Sequence, residues 1–148
     1  MNNELNMVYL RLNEEDLPFY YEIIFSAREN IVHPHQIKYL QRENALSDIR
    51  QGGGIKCVTH SKAVGVVLPI FSPEPLVAAL YVMPEYQNKG IGKKLLNMAL
   101  SWFKDKGATE VYLETDPGSL AEKLYKKLGW QYVGKAEEGI QSRYKIII

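Results

Sequence analysis

The segment from Leu76 to Gly107 constrains this chain more than any other. Leu76 to Met83 is an uninterrupted apolar run of eight residues. That is strand length and far short of the roughly 18 residues a membrane-spanning helix needs. A run of this kind, apolar at every position, predicts a buried central strand. Pro84-Glu85-Tyr86 interrupts it, and Gln87-Asn88-Lys89-Gly90-Ile91-Gly92 follows. From there Ile91, Leu95, Leu96, Ala99, Leu100 and Phe103 recur at helical spacing as far as Lys106. Gly107 stands where a helix of this length would end.

A buried strand leading through glycines into a helix has a specific chemical use. Glycine lets backbone approach a ligand closely and adopt positive φ. The unpaired amides at a helix start, aided by the helix dipole, bind phosphate. Lys89, Lys93 and Lys94 add positive charge at that end. A diphosphate ligand is therefore expected here. Two familiar phosphate loops do not fit. The dinucleotide fingerprint needs a third glycine three residues after Gly92, where Leu95 stands. The Walker A loop needs Gly-Lys-Ser/Thr, which the triple glycine at Gly52 to Gly54 does not supply.

The rest of the chain reads as alternating elements. Val8 to Leu12 reads as a short strand, and Asn13 as the cap of a helix running to Arg28. A second helix is expected from near His35 to Arg50, with a stripe of Ile37, Leu40, Ala45 and Ile49. Ile55 to Thr59 and Ala63 to Ile70 read as a hairpin turning at His60-Ser61-Lys62. Thr109 to Thr115 alternates as a strand, Ser119 to Leu128 is a short helix ended by Gly129, and Gln131 to Val133 and Arg143 to Ile148 close the chain as strands. The order β-α-α-β-β-β-α-β-α-β-β predicts a mixed α/β (α+β) fold in one domain over residues 1–148.

Here the sequence resembles the GCN5-related N-acetyltransferase (GNAT) superfamily. The acetyl-CoA motif Gln/Arg-x-x-Gly-x-Gly/Ala is matched by Gln87 to Gly92. The Ala-x-x-Leu-Tyr-x-x-x-Gly-Phe signature is matched by Ala121, Leu124, Tyr125, Gly129 and Trp130. The resemblance implies a mixed central sheet, splayed between two central strands and flanked by helices. It implies that Gln87, Asn88, Lys89, Gly90, Ile91, Gly92 and Lys93 hold the pyrophosphate of acetyl-CoA. It implies that Leu80, Tyr81 and Val82 pair with the pantetheine arm, and that Tyr125 protonates the departing thiolate. The reaction would be direct attack of a primary amine on the thioester in a ternary complex, with no covalent enzyme intermediate and no metal. A phenol near the leaving sulfur and a backbone amide near Val82 suit that chemistry on physical grounds.

The motifs leave some roles open. Gly118 stands where many members carry Asn, with Ser119 beside it. The base that deprotonates the amine has five candidates: Glu114, Asp116, Glu74, His33 and His35. His33-Pro34-His35 lacks a third ligand within reach, which argues against a metal. Of Tyr20 and Tyr21, only one can face fully inward. Ile146 to Ile148 reads as an interior strand or as an edge able to pair in a homodimer. The acceptor is a small-molecule amine or a peptide or protein amine.

Composition narrows the partners. Eighteen Lys and Arg face seventeen Asp and Glu, a net charge of +1, which argues against nucleic acid and membrane surfaces. Cys57 is the one cysteine, so no disulfide framework is expected. Met1 to Leu10 lacks the basic start and apolar core of a signal peptide. These features together suggest a cytoplasmic, soluble protein. Two alternatives stand beside the acetyltransferase reading: a CoA-binding domain that senses without catalysing, and an interaction domain that shares only the fold.

Overall fold

The computed structural model describes residues 6–148. The N-terminal reading of Met1 to Leu10 and the domain span from residue 1 fall partly outside them. The elements are β1 (Met7–Arg11), α1 (Leu17–Phe25), α2 (Ile37–Leu40), α3 (Arg42–Arg50), β2 (Ile55–Thr59), β3 (Lys62–Ile70), β4 (Leu76–Val82), α4 (Ile91–Asp105), β5 (Glu110–Thr115), α5 (Leu120–Lys127), β6 (Gln131–Lys135) and β7 (Ser142–Ile147). The expected order of strands and helices is present, with one helix divided.

The strands form one seven-stranded sheet in the order β1-β2-β3-β4-β5-β7-β6. Neighbours pair antiparallel except β4 and β5, which run parallel. The β2–β3 hairpin turns on His60 and Ser61, at φ 50° and 62°. Two consecutive positive φ values make a type I′ turn, whose twist matches the flanking strands. Helix α4 buries Ile91, Leu95, Leu96, Ala99 and Phe103, the stripe its spacing predicts except for Leu100, which is half-buried. Its first turn sits close to β3 at Gly65. A Cβ there would lie 3.1 Å from Ile91 Cγ2 and 3.3 Å from Leu95 Cδ1.

Four sequence readings need correction. The first helix is shorter than Asn13 to Arg28. Glu14–Asp16 form a 3₁₀ turn, in which Asp16 accepts the Asn13 amide at 2.8 Å and pairs with Lys56 Nζ at 2.7 Å. Pro18 then opens α1, as a residue without a donor can. The helix stops where the Ser26 hydroxyl donates to the Ile23 carbonyl at 2.6 Å. The second helix breaks at Gln41, whose ψ of 143° is extended. The Leu40 carbonyl freed there accepts the Tyr21 hydroxyl at 2.6 Å. Its buried face is Ala45, Leu46 and Ile49, while Ile37 is exposed.

Strand β4 is central but not wholly buried. Ala78 is exposed and Leu80 to Val82 are half-buried. The cause is that β4 and β5 are in register only at Leu76 and Tyr112. Beyond that point the strands separate, and one side of β4 faces a gap. The C-terminal strand β7 lies between β5 and β6. It is interior, and β1 and β6 are the edges. Tyr20 is buried and Tyr21 only partly so.

Candidate active site

Antiparallel pairing points the backbone groups of alternate residues to opposite sides of a strand. The Met83 amide donates to the Val64 carbonyl at 2.8 Å, toward β3. Alternation turns the amides and carbonyls of Val82 and Leu80 the other way, into the gap left by β5. The Val82 carbonyl there accepts Gln87 Nε2 at 3.2 Å.

The loop after β4 ends at Gly90, which caps α4 at φ 83°, in the left-handed region that glycine enters without penalty. The first helical bond runs from the Lys94 amide to the Gly90 carbonyl at 3.1 Å. The amides of Ile91, Gly92 and Lys93 precede it and have no carbonyl of the helix to donate to. A Cβ at Gly90 would meet nothing within 4 Å, and one at Gly92 only Val82 Cγ2 at 3.8 Å. The protein leaves this space empty in front of a helix N-terminus. Unpaired amides at a helix start are a site of the kind that binds anions.

The gap and the loop form one cleft of about 680 Å³. Leu80, Tyr81, Val82, Gln87, Asn88, Gly90, Ile91, Gly92, Lys93 and Tyr125 all line it. Lys89 is not among the lining residues. Lys94 points elsewhere, with Nζ 5.8 Å from the Tyr9 ring centre.

Tyr125 reaches the cleft from α5. Ser119 caps that helix by accepting the Glu122 amide at 3.1 Å. Gly118, at φ 78°, donates its amide to Glu122 Oε1 at 2.9 Å. The Tyr144 hydroxyl donates to the same carboxylate at 2.8 Å. The Gly118 amide bond, foremost, holds the Glu122 carboxyl below its ordinary range. Gly118 thus serves the helix turn through its backbone. The Tyr125 ring packs against Trp130 at 5.8 Å between centres. Burial, and to a lesser degree the neighbouring Tyr81, push its hydroxyl well above the usual phenol range. Tyr125 therefore stays protonated across the physiological range.

The five base candidates separate. Glu114 lines the cleft. Burial raises its carboxyl above the ordinary glutamate range, against the opposing pull of Arg143. Asp116 accepts His33 Nε2 at 2.7 Å and Gln141 Nε2 at 3.1 Å. His35 stacks on His33 at 5.6 Å and stands 3.3 Å from Glu138. Glu74 pairs with Arg143.

Some residues at this end carry no motif. Asn30, at φ 53°, bridges the separating strands. Its side-chain oxygen accepts the Asp116 amide at 2.7 Å and the Thr115 hydroxyl at 3.1 Å. Its backbone carbonyl accepts the Tyr81 hydroxyl at 3.0 Å. Glu29 accepts the Leu120 amide at 2.8 Å. Among the described residues, no three His, Cys, Asp or Glu side chains are placed to hold a metal. No helix there is long and apolar enough to cross a membrane.

Comparison with known proteins decides the family. The model of the acetyltransferase (GNAT) family matches residues 11–130. The chain belongs to the GNAT family. Curated relatives include the [ribosomal protein bS18]-alanine N-acetyltransferase of Haemophilus influenzae, 28% identical over 80 residues, which are 53% of this chain and 55% of that protein. An aminoglycoside N(6′)-acetyltransferase type 1 of Salmonella typhimurium is 26% identical over 61 residues, 40% of this chain and 42% of that one. The GNAT chain thus spans about half the length of these relatives or less.

Solved structures share the fold over nearly the whole chain. The PaiA N-acetyltransferase of Thermoplasma acidophilum, solved with coenzyme A, superposes with a TM-score of 0.77 at 23% identity, covering 97% of this chain and 99% of that one. A GNAT acetyltransferase of Staphylococcus aureus Mu50 gives 0.78 at 20% identity, covering 95% and 98%.

Proposed function

We propose that this protein is an N-acetyltransferase that moves an acetyl group from acetyl-CoA to a primary amine. The observation that carries the reading is the cleft between β4 and β5, with unpaired amides at one end and the Tyr125 hydroxyl on its wall. The donor's pyrophosphate would sit on the amides of Ile91, Gly92 and Lys93, with Gln87, Asn88, Lys89 and Gly90 completing the loop. Its pantetheine arm would lie along Leu80, Tyr81 and Val82.

The residues divide the remaining work. Glu114 removes a proton from the ammonium form of the acceptor, directly or through a water, since only the free amine is a nucleophile. The amine nitrogen then bonds to the thioester carbon. The Val82 amide, turned into the cleft, is the donor available for the carbonyl oxygen as charge develops on it. The carbon–sulfur bond breaks and the thiolate takes a proton from Tyr125, while the attacking nitrogen gives up its second proton as the amide forms, which restores the Tyr125 hydroxyl through solvent. A hydroxyl that stays protonated is suited to that part. The bS18-alanine and aminoglycoside relatives name amine acceptors, which supports an amine here without selecting one.

The test is thiol release from acetyl-CoA, with an alanine-initiated peptide and kanamycin among the acceptors screened. Amine-dependent release supports the reading. Release that no amine stimulates, despite tight acetyl-CoA binding, favours the sensing domain.

A further inference from the structure

Arg143 holds a position that none of the motifs accounts for. It lies directly opposite Glu114 in the β5–β7 register, so the two side chains share one face of the sheet. Its Nη1 donates to Glu114 Oε2 at 3.1 Å, and its Nη2 to Glu74 Oε1 in the β3–β4 connection. The guanidinium lies over the Tyr112 ring, 4.2 Å from its centre. A stacked guanidinium with two carboxylates in its fork has few other geometries available. One cation is therefore divided between a cleft carboxylate and a carboxylate on a separate connection.

We propose that Arg143 is a positioning residue for acetyl transfer: shared between Glu74 and Glu114, it holds the Glu114 carboxylate at the cleft and governs when that group takes a proton. This rests on the role given to Glu114 above. Other charged groups surround the pair. Glu138 on the β6–β7 turn adds negative charge felt at Glu114 and stands 3.3 Å from His35 Nε2. Arg28 and Glu29 line the cleft from the segment after α1. Asp116 on the same strand is engaged by His33. Among these, Arg143 is the cation in direct contact with Glu114, and Glu74 is the group that competes for it.

The competition gives the two partners opposite signs. An adjacent cation favours the charged carboxylate, and an adjacent anion disfavours it. Removing Arg143 raises the pH at which Glu114 titrates. Neutralising Glu74 lowers it, by removing a like charge and by leaving Arg143 wholly to Glu114.

The experiment follows glutamate carboxyl carbons by NMR across pH in the full chain carrying ¹³C-labelled glutamate. Glu114→Gln identifies the signal. Arg143→Met is expected to move the Glu114 midpoint up by about one unit or more, and Glu74→Gln to move it down. Arg143→Lys, which keeps the charge, should leave it near the wild-type value, so a general loosening of the fold is told apart from loss of the cation. No movement in either variant, or movement in the same direction in both, overturns the proposal. Acetyl-CoA calorimetry on the same samples reports the functional reading separately. If the wild type binds no acetyl-CoA, Arg143's part in transfer falls with that reading even where the titrations shift as expected.

Discussion

Tyr125 and Glu114 both line the cleft, and the role proposed for each supports its own prediction. Tyr125→Phe removes one hydroxyl and keeps the ring against Trp130. It should lower kcat about tenfold to a thousandfold and leave acetyl-CoA affinity unchanged. Steady-state thiol release together with calorimetry separates those two effects. As the proposed base, Glu114 would act only when deprotonated. Burial raises its carboxyl above the ordinary range, so kcat/KM should climb with pH through a midpoint above that of an exposed glutamate. Glu114→Gln should flatten this acid limb and cut the rate about a hundredfold or more. A limb that persists in Glu114→Gln would assign the base to another group.

At the scale of elements, Gly65 fixes how closely α4 can approach β3. A valine there puts methyl groups into space that Ile91 and Leu95 already occupy. Gly65→Val should cost about 1–3 kcal/mol of stability, read from urea unfolding. It should also weaken acetyl-CoA binding, because Ile91 begins the helix whose amides face the cleft. Elements whose period lies in adjacent residues were readable from the sequence. The α4 stripe and the β2–β3 hairpin are both of this kind. The first two helices depart from their sequence pattern where single residues override it. Pro18 delays α1, and Gln41 turns extended between α2 and α3. The face of Glu114 that meets Arg143 was not readable. It depends on the β5–β7 register, and no local pattern records which residues of two strands stand opposite. Asn30 carries a weak sign of its role, since asparagine tolerates positive φ, but its partners on β4 and β5 follow only from the fold.

For the whole molecule, the decisive feature is that the sheet does not close between β4 and β5. The two motifs in the sequence, Gln87 to Gly92 and Ala121 to Trp130, lie on elements that flank this opening. They were legible because they are local strings. The opening itself was expected only through the family resemblance, and it appears in the structure as a register of a single pair. The near balance of charge shows no broad cationic excess, so the proposed donor recognition rests on the oriented amides and on Lys93 at the cleft. The proposed function depends on acetyl-CoA binding in this opening, at the α4 N-terminus. Calorimetry with acetyl-CoA tests it most directly, comparing wild type, Gly90→Ala and Gly90→Glu. Both substitutions carry the strain of φ 83°, but only glutamate adds bulk and negative charge where the pyrophosphate would lie. The wild type should bind acetyl-CoA, Gly90→Ala should bind it more weakly, and Gly90→Glu should not bind it. A folded wild type that binds no acetyl-CoA, or a Gly90→Glu variant that binds it as tightly as the wild type, would rule out a donor site at the α4 N-terminus.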